Sequence, residues 1–71
     1  MNIIEVINKK RNNSELSKEE LEFAFNGYLK KEVQEYQMSA LLMAICINGM
    51  SDQEVFDLTD IFIKWNYIEK L

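Results

Sequence analysis

Apolar residues recur three and four positions apart along most of the chain, which is the period of one face of an α-helix. Start and stop signals divide this pattern into segments. Ser17 with Glu20 and Ser51 with Glu54 fit the capping box, in which each side chain satisfies an otherwise free backbone N–H. Gly49 stands where a helix ending at Asn48 needs a residue with positive φ. The pattern predicts four helices, over residues 2–12, 18–30, 36–48 and 52–68.

The first two predicted helices each have one apolar face, and the first has a weaker cap formed by Asn2 and Glu5. Phe23 points away from the face of the second helix. The first face contains Ile3, Val6 and Ile7 with Ile4 at its edge, and the second contains Leu21, Ala24, Phe25 and Tyr28, widened by Leu29.

The third predicted helix is apolar on every side, because residues 40–47 read ALLMAICI. A helix of this kind is normally buried all round, so we expect it to be the central helix of the bundle. At 100° per residue, one face holds Met38, Leu41, Leu42, Ile45 and Cys46, and the opposite face holds Ala40, Met43, Ala44 and Ile47.

The fourth predicted helix is apolar over about half of its circumference. One stripe contains Val55, Leu58, Phe62 and Trp65, a second contains Phe56 and Ile63, and the remaining polar strip contains Asp57, Asp60 and Lys64. Three short helices cannot cover both this arc and both sides of the third helix. We therefore expect part of the apolar surface to be an interface.

Length and composition limit the fold to one small all-α domain over residues 1–71. One cysteine and no histidine exclude an internal disulfide and leave almost no ligands for a zinc site. No apolar run reaches the roughly 18 residues of a membrane span, and the N-terminus does not fit a signal peptide. These features predict a cytoplasmic protein.

A net charge of −4 is unfavourable for binding nucleic acid. Residues 45–55, ICINGMSDQEV, resemble the turn of a helix-turn-helix, which would place the fourth helix in the major groove of DNA. Asp52, Glu54, Asp57 and Asp60 would then face phosphates, and no basic residue precedes Lys64. We therefore expect no nucleic-acid partner.

No set of residues suggests catalysis, a cofactor or a metal, so no catalytic, cofactor-binding or metal-binding residue is assigned. Without histidine there is no side chain to act as a base near neutral pH. Cys46 lies in the apolar run and is interpreted as an inert packing residue. Trp65 is interpreted as core or interface. Two charged groups, Lys9 to Arg11 and Glu19, Glu20 and Glu22, are interpreted as helix ends that complement the helix dipole.

Two stretches resemble the N-terminal helical segment of the pyrimidine-nucleoside and thymidine phosphorylases. Residues 9–28 read KKRNNSELSKEELEFAFNGY and residues 36–59 read YQMSALLMAICINGMSDQEVFDLT. The anthranilate phosphoribosyltransferases share the helical layout but lack the YQM wording of residues 36–38. The resemblance covers most of residues 3–60.

The resemblance implies an enzyme that phosphorolyses uridine- or thymidine-type nucleosides to the free base and a pentose 1-phosphate. In such enzymes phosphate attacks the anomeric carbon, and the active site lies between a small helical domain and a large α/β domain. The helical domain also forms the homodimer contact. The resemblance therefore implies a homodimer through the apolar faces of the third and fourth helices, and binding of phosphate and nucleoside only by a full-length enzyme.

The chain departs from the family pattern in two places. Residues 29–32, LKKE, replace a Thr-x-Gly turn, so the second helix either runs longer or ends in a different turn. After Thr59 the chain reads differently and stops at Leu71, before the positions of the family's phosphate loop and catalytic residues. No family active-site residue maps onto this sequence.

Two interpretations remain. The first is the helical N-terminal piece of a pyrimidine-nucleoside phosphorylase, inactive alone, and the second is a free-standing helical module that binds proteins. A free-standing module should bury Trp65, Tyr67 and Ile68, whereas a severed domain should expose them. Because of the surplus apolar surface we expect self-association at micromolar concentration, and we also expect no phosphorolysis by the isolated chain.

Overall fold

The computed structural model describes the backbone of residues 1–69 and the side chains of residues 1–65. It contains four helices in the described part of the chain, as the sequence predicts. Every predicted boundary agrees with the structure to within one residue. The helices are α1 (Ile3–Arg11), α2 (Lys18–Leu29), α3 (Glu35–Asn48) and α4 (Asp52–Glu69).

The predicted caps are present at the helix starts. Glu20 N–H donates to Ser17 Oγ at 3.2 Å, and Ser17 N–H donates to Glu20 Oε1 at 2.9 Å. Asn2 Oδ1 accepts from Glu5 N–H at 2.9 Å. At the end of α3, Gly49 has φ of 77°, and its N–H donates to Ile45 O at 2.7 Å. Local sequence therefore determines where these helices begin and end.

The helices pack as two pairs around one core, α1 with α3 and α2 with α4, while α1 and α3 also touch α2. Within the part of the chain that the structure describes, α3 and α4 make no backbone contact with each other. The core contains Ile3, Val6, Ile7, Leu16, Leu21, Ala24, Phe25, Val33, Met38, Leu41 and Ile61, with Ile45, Leu58 and Trp65 packed against it.

The expectation that α3 is the central helix, buried all round, is wrong. Its buried residues are Met38, Leu41 and Ala44, whereas Leu42 and Cys46, which were placed on the same face as Met38, are exposed. The reason is that a helix without a polar side carries no signal for its own rotation. Contacts from α1 and α2 set that rotation and cover only one side.

The turn between α2 and α3 differs from the family pattern without lengthening α2, which ends at Leu29. Lys31 adopts φ of 66°, a left-handed conformation that favours glycine. The N–H groups of Glu32 and Val33 both donate to Gly27 O, at 2.7 and 3.1 Å. A Cβ at Gly27 would lie 2.8 Å from Val33 Cγ2, so a larger residue there would force the buried Val33 side chain to move.

The predicted face of α2 is confirmed for its inner residues and is wrong at its end. Leu21, Ala24 and Phe25 are buried, but Tyr28 and Leu29 are exposed because the chain turns away after α2. In α1, the three residues predicted to be buried are buried, and Ile4 is exposed.

Candidate interaction surfaces

A buried ion pair fixes the start of α4 against α1. Lys10 Nζ lies 2.9 Å from Glu54 Oε1 and also donates to Gly49 O at 3.1 Å. The two side chains are 3% and 1% exposed. Glu54 Oε2 accepts from Leu16 N–H at 2.8 Å, and Oε1 accepts from Ser51 N–H at 2.8 Å. We call these five residues the polar clasp.

The clasp holds the Glu54 carboxylate in its ionised form. Burial alone would raise the pKa of Glu54, but the hydrogen bonds from Leu16, Lys10 and Ser51 outweigh it and bring the pKa below the ordinary value of 4.5. A buried ion pair withstands its desolvation only when further hydrogen bonds satisfy it. Every acceptor and donor needed for that is present here, since no buried side-chain polar atom in the described part of the chain lacks a partner.

Asn48 adds a second link at the same end of the bundle. Its Nδ2 donates to the carbonyl oxygens of Lys10 and Arg11, at 2.8 and 3.1 Å. These carbonyls belong to the last turn of α1, and Lys10 O also accepts from the N–H of Asn13, beyond the helix end, at 2.9 Å. The C-terminus of α1 is therefore capped by a side chain from α3.

Two further polar links hold α4 against α2. Lys18 Nζ donates to Asp60 Oδ2 at 2.8 Å, and this bond, followed by one from Lys64, lowers the pKa of Asp60. The hydrogen bond to Asp60 also raises the pKa of Lys18. One turn further on, Trp65 Nε1 donates to Asn26 Oδ1 at 2.6 Å.

These links rotate α4 so that a partly polar face is turned inward, which the sequence did not predict. Asp57, assigned to the exposed polar strip, is 6% exposed, and Glu54 is 1% exposed. Val55 and Phe62, which belong to the first of the two predicted apolar stripes, are 49% and 43% exposed. The signal that sequence reasoning missed is that α1 and α2 carry cationic and amide side chains that bind the polar side chains of α4.

The outer face of α4 is consequently apolar. We call it the α4 strip, and it comprises Val55, Phe56, Thr59, Phe62 and Ile63. Phe62 keeps some inward contact, because its ring meets Phe25 edge-on with centroids 5.7 Å apart. Phe56 and Ile63 are 69% and 60% exposed.

The outer face of α3 is a second exposed apolar surface. Met43 is 61% exposed and Ile47 is 74% exposed, so this side of α3 is not covered within the chain itself. We call this surface the α3 strip, and it comprises Tyr36, Ser39, Ala40, Leu42, Met43, Cys46 and Ile47. The two strips are separate surfaces, because α3 and α4 do not pack against each other in the described part of the chain.

The remaining residues singled out in the sequence are not brought together into a site. Cys46 is exposed, contrary to its interpretation as a packing residue. Trp65 is partly buried and lines an open depression with Tyr28, Val33 and Tyr36. The side chains of Tyr67 and Ile68 lie outside the described residues. Within the described residues there is no acidic, histidine or cysteine group able to hold a metal, and no helix fit to span a bilayer.

Comparisons with known proteins place residues 4–64 in the family described as "Glycosyl transferase family, helical bundle domain". The chain is 44% identical over 70 residues to a thymidine phosphorylase of Mycoplasmoides pirum, covering 99% of this chain. It is 46% identical to a pyrimidine-nucleoside phosphorylase of Geobacillus stearothermophilus and 48% identical to one of Bacillus subtilis, each over 83% of this chain. No solved structure gives a significant match.

The chain spans only a small part of these relatives. The matches cover 17% of the Mycoplasmoides pirum protein and 14% of the other two. The shared part is the N-terminal helical domain, and the family match over residues 4–64 spans the positions of the polar clasp.

Proposed function

Because the chain belongs to the glycosyl transferase helical bundle family and corresponds to the N-terminal helical domain of pyrimidine-nucleoside phosphorylases, we propose that it serves as the helical domain of such an enzyme. In that role it does no chemistry itself. It supplies one wall of the enzyme and a surface for assembly, while the α/β part supplies phosphate binding and catalysis. Uridine- and thymidine-type nucleosides are the proposed substrates of the complete enzyme.

The observation that carries this proposal is the match to thymidine phosphorylase along 99% of the chain. An identity of 44% over 70 residues is too high to result from shared helical periodicity alone. The family match from 4 to 64 ends inside α4, so it covers most of the helical unit that the structure describes.

Exposed apolar surface supports the assembly part of the proposal. Apolar patches of this extent are commonly interaction sites in soluble proteins. We propose a homodimer formed through the apolar faces of α3 and α4, with residues 66–71 left out of the proposal. The cytoplasmic location expected from the sequence also stays a prediction.

A transplant tests the enzymatic role. Residues 4–64 of this chain would replace the matching segment of the Geobacillus stearothermophilus enzyme, and phosphate-dependent release of uracil or thymine would be measured. We expect the chimera to retain activity and the isolated 71-residue chain to have none. A folded but inactive chimera, or phosphorolysis by the isolated chain, would contradict the proposal.

The second candidate is a free-standing helical module that binds a protein partner without any enzymatic role. The observation that favours it is the state of Trp65, which is partly buried and hydrogen-bonded to Asn26 rather than fully exposed. The transplant separates the two candidates, since a module unrelated to catalysis would not restore an active chimera.

A further inference from the structure

Both glycines of the chain follow an asparagine, as Asn26–Gly27 in α2 and as Asn48–Gly49 at the end of α3. Asparagine followed by glycine is especially prone to spontaneous deamidation, because glycine has no side chain to hinder its backbone nitrogen. We propose that Asn48–Gly49 is a deamidation site that the docking of α1 holds nearly unreactive, and that its conversion releases the C-terminal end of α1. The proposal does not depend on the enzymatic role.

The reaction needs only water as a co-reactant. The backbone nitrogen of Gly49 loses its proton and attacks Cγ of Asn48, the bond from Cγ to Nδ2 breaks, and ammonia leaves. Water then opens the resulting cyclic imide at either of its two carbonyls. One product is aspartate, and the other is isoaspartate, in which the backbone runs through the former side chain. Either product adds one negative charge to a chain whose net charge is −4.

Two separate structural roles place these residues next to each other. Gly49 has φ of 77°, which favours glycine, and a Cβ there would meet no atom within 4 Å, so the backbone conformation rather than a lack of space selects glycine. Asn48 caps α1, since its Nδ2 donates to the carbonyl oxygens of Lys10 and Arg11. The fold therefore creates a labile sequence by combining a turn with a cap.

Hydrogen bonds occupy the groups that would have to react. Gly49 N–H donates to Ile45 O at 2.7 Å, so the attacking nitrogen is engaged in the helix. The leaving nitrogen, Asn48 Nδ2, is held 2.8 Å from Lys10 O and 3.1 Å from Arg11 O. Lys10 Nζ also donates to Gly49 O at 3.1 Å. Attack therefore requires the end of α3 to separate from α1, and Lys10 opposes that separation through both its backbone and its ammonium.

Asn26–Gly27 provides an internal reference. It lies inside α2, where each backbone N–H donates to the carbonyl four residues earlier. Gly27 is buried, and Asn26 Oδ1 accepts from Trp65 Nε1 at 2.6 Å. Asn26 should therefore react only when the bundle unfolds as a whole, whereas Asn48, at a helix end, needs only local opening.

A carboxylate at position 48 is unfavourable in the folded chain. It no longer donates to the carbonyl oxygens of Lys10 and Arg11 and repels them instead. The C-terminal ends of α1 and α3 meet at this position, and a negative charge is destabilising at the C-terminal end of a helix. The nearby ammonium of Lys10 is already bound to Glu54. Because ammonia is lost, the change is not reversed, and α1 stays loosened.

The first test follows both asparagines in the purified 71-residue chain at mildly alkaline pH, with and without denaturing urea. Trypsin releases residues 19–30 and 32–64 as separate peptides, in which Asn26 and Asn48 are the only asparagines, and mass spectrometry measures their conversion. In urea the two should convert at similar rates. We expect folding to slow Asn48 at least about tenfold and to slow Asn26 at least about tenfold more than Asn48.

The second test asks whether the docking of α1 controls the reaction. Lys10→Met removes the ammonium that binds Gly49 O, and Lys9→Met is the matched control, because Lys9 is paired with Glu20 at 2.7 Å and partly exposed. In the folded state Lys10→Met should raise the rate at Asn48 at least about threefold, and Lys9→Met should change it less than about twofold. Circular dichroism would establish that both variants fold.

The third test measures the effect of the product. Asn48→Asp should lower the Tm by at least about 4 °C. Asn26→Asp adds the same charge but keeps the oxygen that accepts from Trp65, so it should lower the Tm less than half as much. Should Lys10→Met not fold, this pair and the comparison with urea still test the proposal.

Several results would overturn the proposal. They are equal rates at Asn48 with and without urea, equal slowing of Asn26 and Asn48 by folding, equal effects of Lys10→Met and Lys9→Met, or a Tm of Asn48→Asp as high as that of Asn26→Asp. A folded chain in which Asn48 never converts would also contradict it, since the site would then be closed rather than gated by local opening.

Discussion

The third and fourth helices expose similar apolar strips, but they are held in the fold by different forces. α3 is held in the bundle by the apolar packing of Met38, Leu41 and Ala44, and its buried face contains no charged residue. α4 is held in the bundle by polar contacts, above all the hydrogen bonds of the Glu54 carboxylate in the clasp. Hydrophobic burial is roughly proportional to area and has no direction, whereas a buried carboxylate must meet its donors at fixed positions. The rotation of α4 is therefore set by a few atoms.

The difference teaches that an amphipathic pattern does not by itself say which face of a helix is buried. In α4 the more apolar side faces outward and Asp57 faces inward, near Lys18, whose pKa its charge helps to raise. In α3 the pattern is the same on all sides, and the positions of α1 and α2 determine which side is buried. Three predictions follow this contrast, from the largest expected effect to the smallest.

Glu54→Leu should lower the free energy of unfolding by about 3–5 kcal/mol, because it removes the carboxylate partner of the buried Lys10 ammonium and leaves the N–H groups of Leu16 and Ser51 without an acceptor. A domain of this size has a total stability of roughly 4–10 kcal/mol, so this loss is a large fraction of the total. Urea unfolding followed by circular dichroism measures the change.

The matched control for the clasp is Lys10→Met. It should cost less, because Glu54 keeps its two backbone N–H donors. The loss of unfolding free energy in the double variant should be smaller than the sum of the losses in the two single variants, since both residues belong to one network. Simple additivity would mean that the ion pair does not couple α1 to α4.

Leu41→Ala in α3 should lower the free energy of unfolding by at least about 1.5 kcal/mol more than Phe56→Ala in α4, although Leu41 is the smaller side chain. Leu41 is fully buried, and removing such a side chain from a core costs about 2–5 kcal/mol. Phe56 is 69% exposed, and a surface change of this kind is worth about 0.5 kcal/mol or less. Unfolding should be measured at two protein concentrations, so that any contribution from self-association is recognised. Equal losses would place Phe56 inside the core.

Acidification should weaken the polar contacts that hold α4 in the bundle and should leave the apolar packing of α3 unchanged. The pKa of Glu54 is lower in the folded state than its ordinary value of 4.5. Its contribution is therefore complete above pH 4.5 and is lost as the pH falls through the folded value, because the unfolded chain binds the proton more readily. Asp60 and Glu20 act in the same direction. We expect the Tm to fall by several degrees on acidification, since each kcal/mol of lost unfolding free energy lowers the Tm by roughly 4–8 °C.

Glu54→Gln is the control for that titration, since it keeps the shape of the side chain and removes its charge. Its free energy of unfolding at pH 7 should be lower than that of the parent chain, and this free energy should fall less on acidification than it does in the parent chain. An unchanged dependence of stability on pH in this variant would assign the effect to other carboxylates. Should the glutamine variant not fold, the same comparison can be made with Lys10→Met, which removes one of the contacts that lower the pKa of Glu54.

The parts of the fold that depend on neighbouring residues could be predicted from the sequence. Helix boundaries followed from caps such as Ser17 with Glu20, because both partners lie within one turn. The clasp could not be predicted, because Lys10 and Glu54 are 44 positions apart and each has an ordinary local role, one at a helix end and one in a capping box. Likewise, nothing local distinguishes the inner from the outer face of residues 40–47.

The candidate surface was predicted as a surplus of apolar area and not as two strips. Counting apolar faces indicated that three short helices could not cover the rest, and the exposure of Ile47 and Phe56 agrees with that count. The separation of α3 from α4 depends on how the pairs are arranged in space, which no single segment encodes. The turn at Lys31 was flagged as different, and only the structure gives its left-handed φ of 66°.

The long reach of the polar clasp also bears on how the chain is made. During synthesis the N-terminal helix, with nine residues, emerges early and is too short to persist alone in water. Lys10 cannot pair with Glu54 until residue 54 has been added, and the last carbonyls of this helix lack the amide of Asn48 until residue 48 has been added. A ribosome carrying only the first forty residues therefore holds α1 without the side chains from α3 and α4 that fix its C-terminal end.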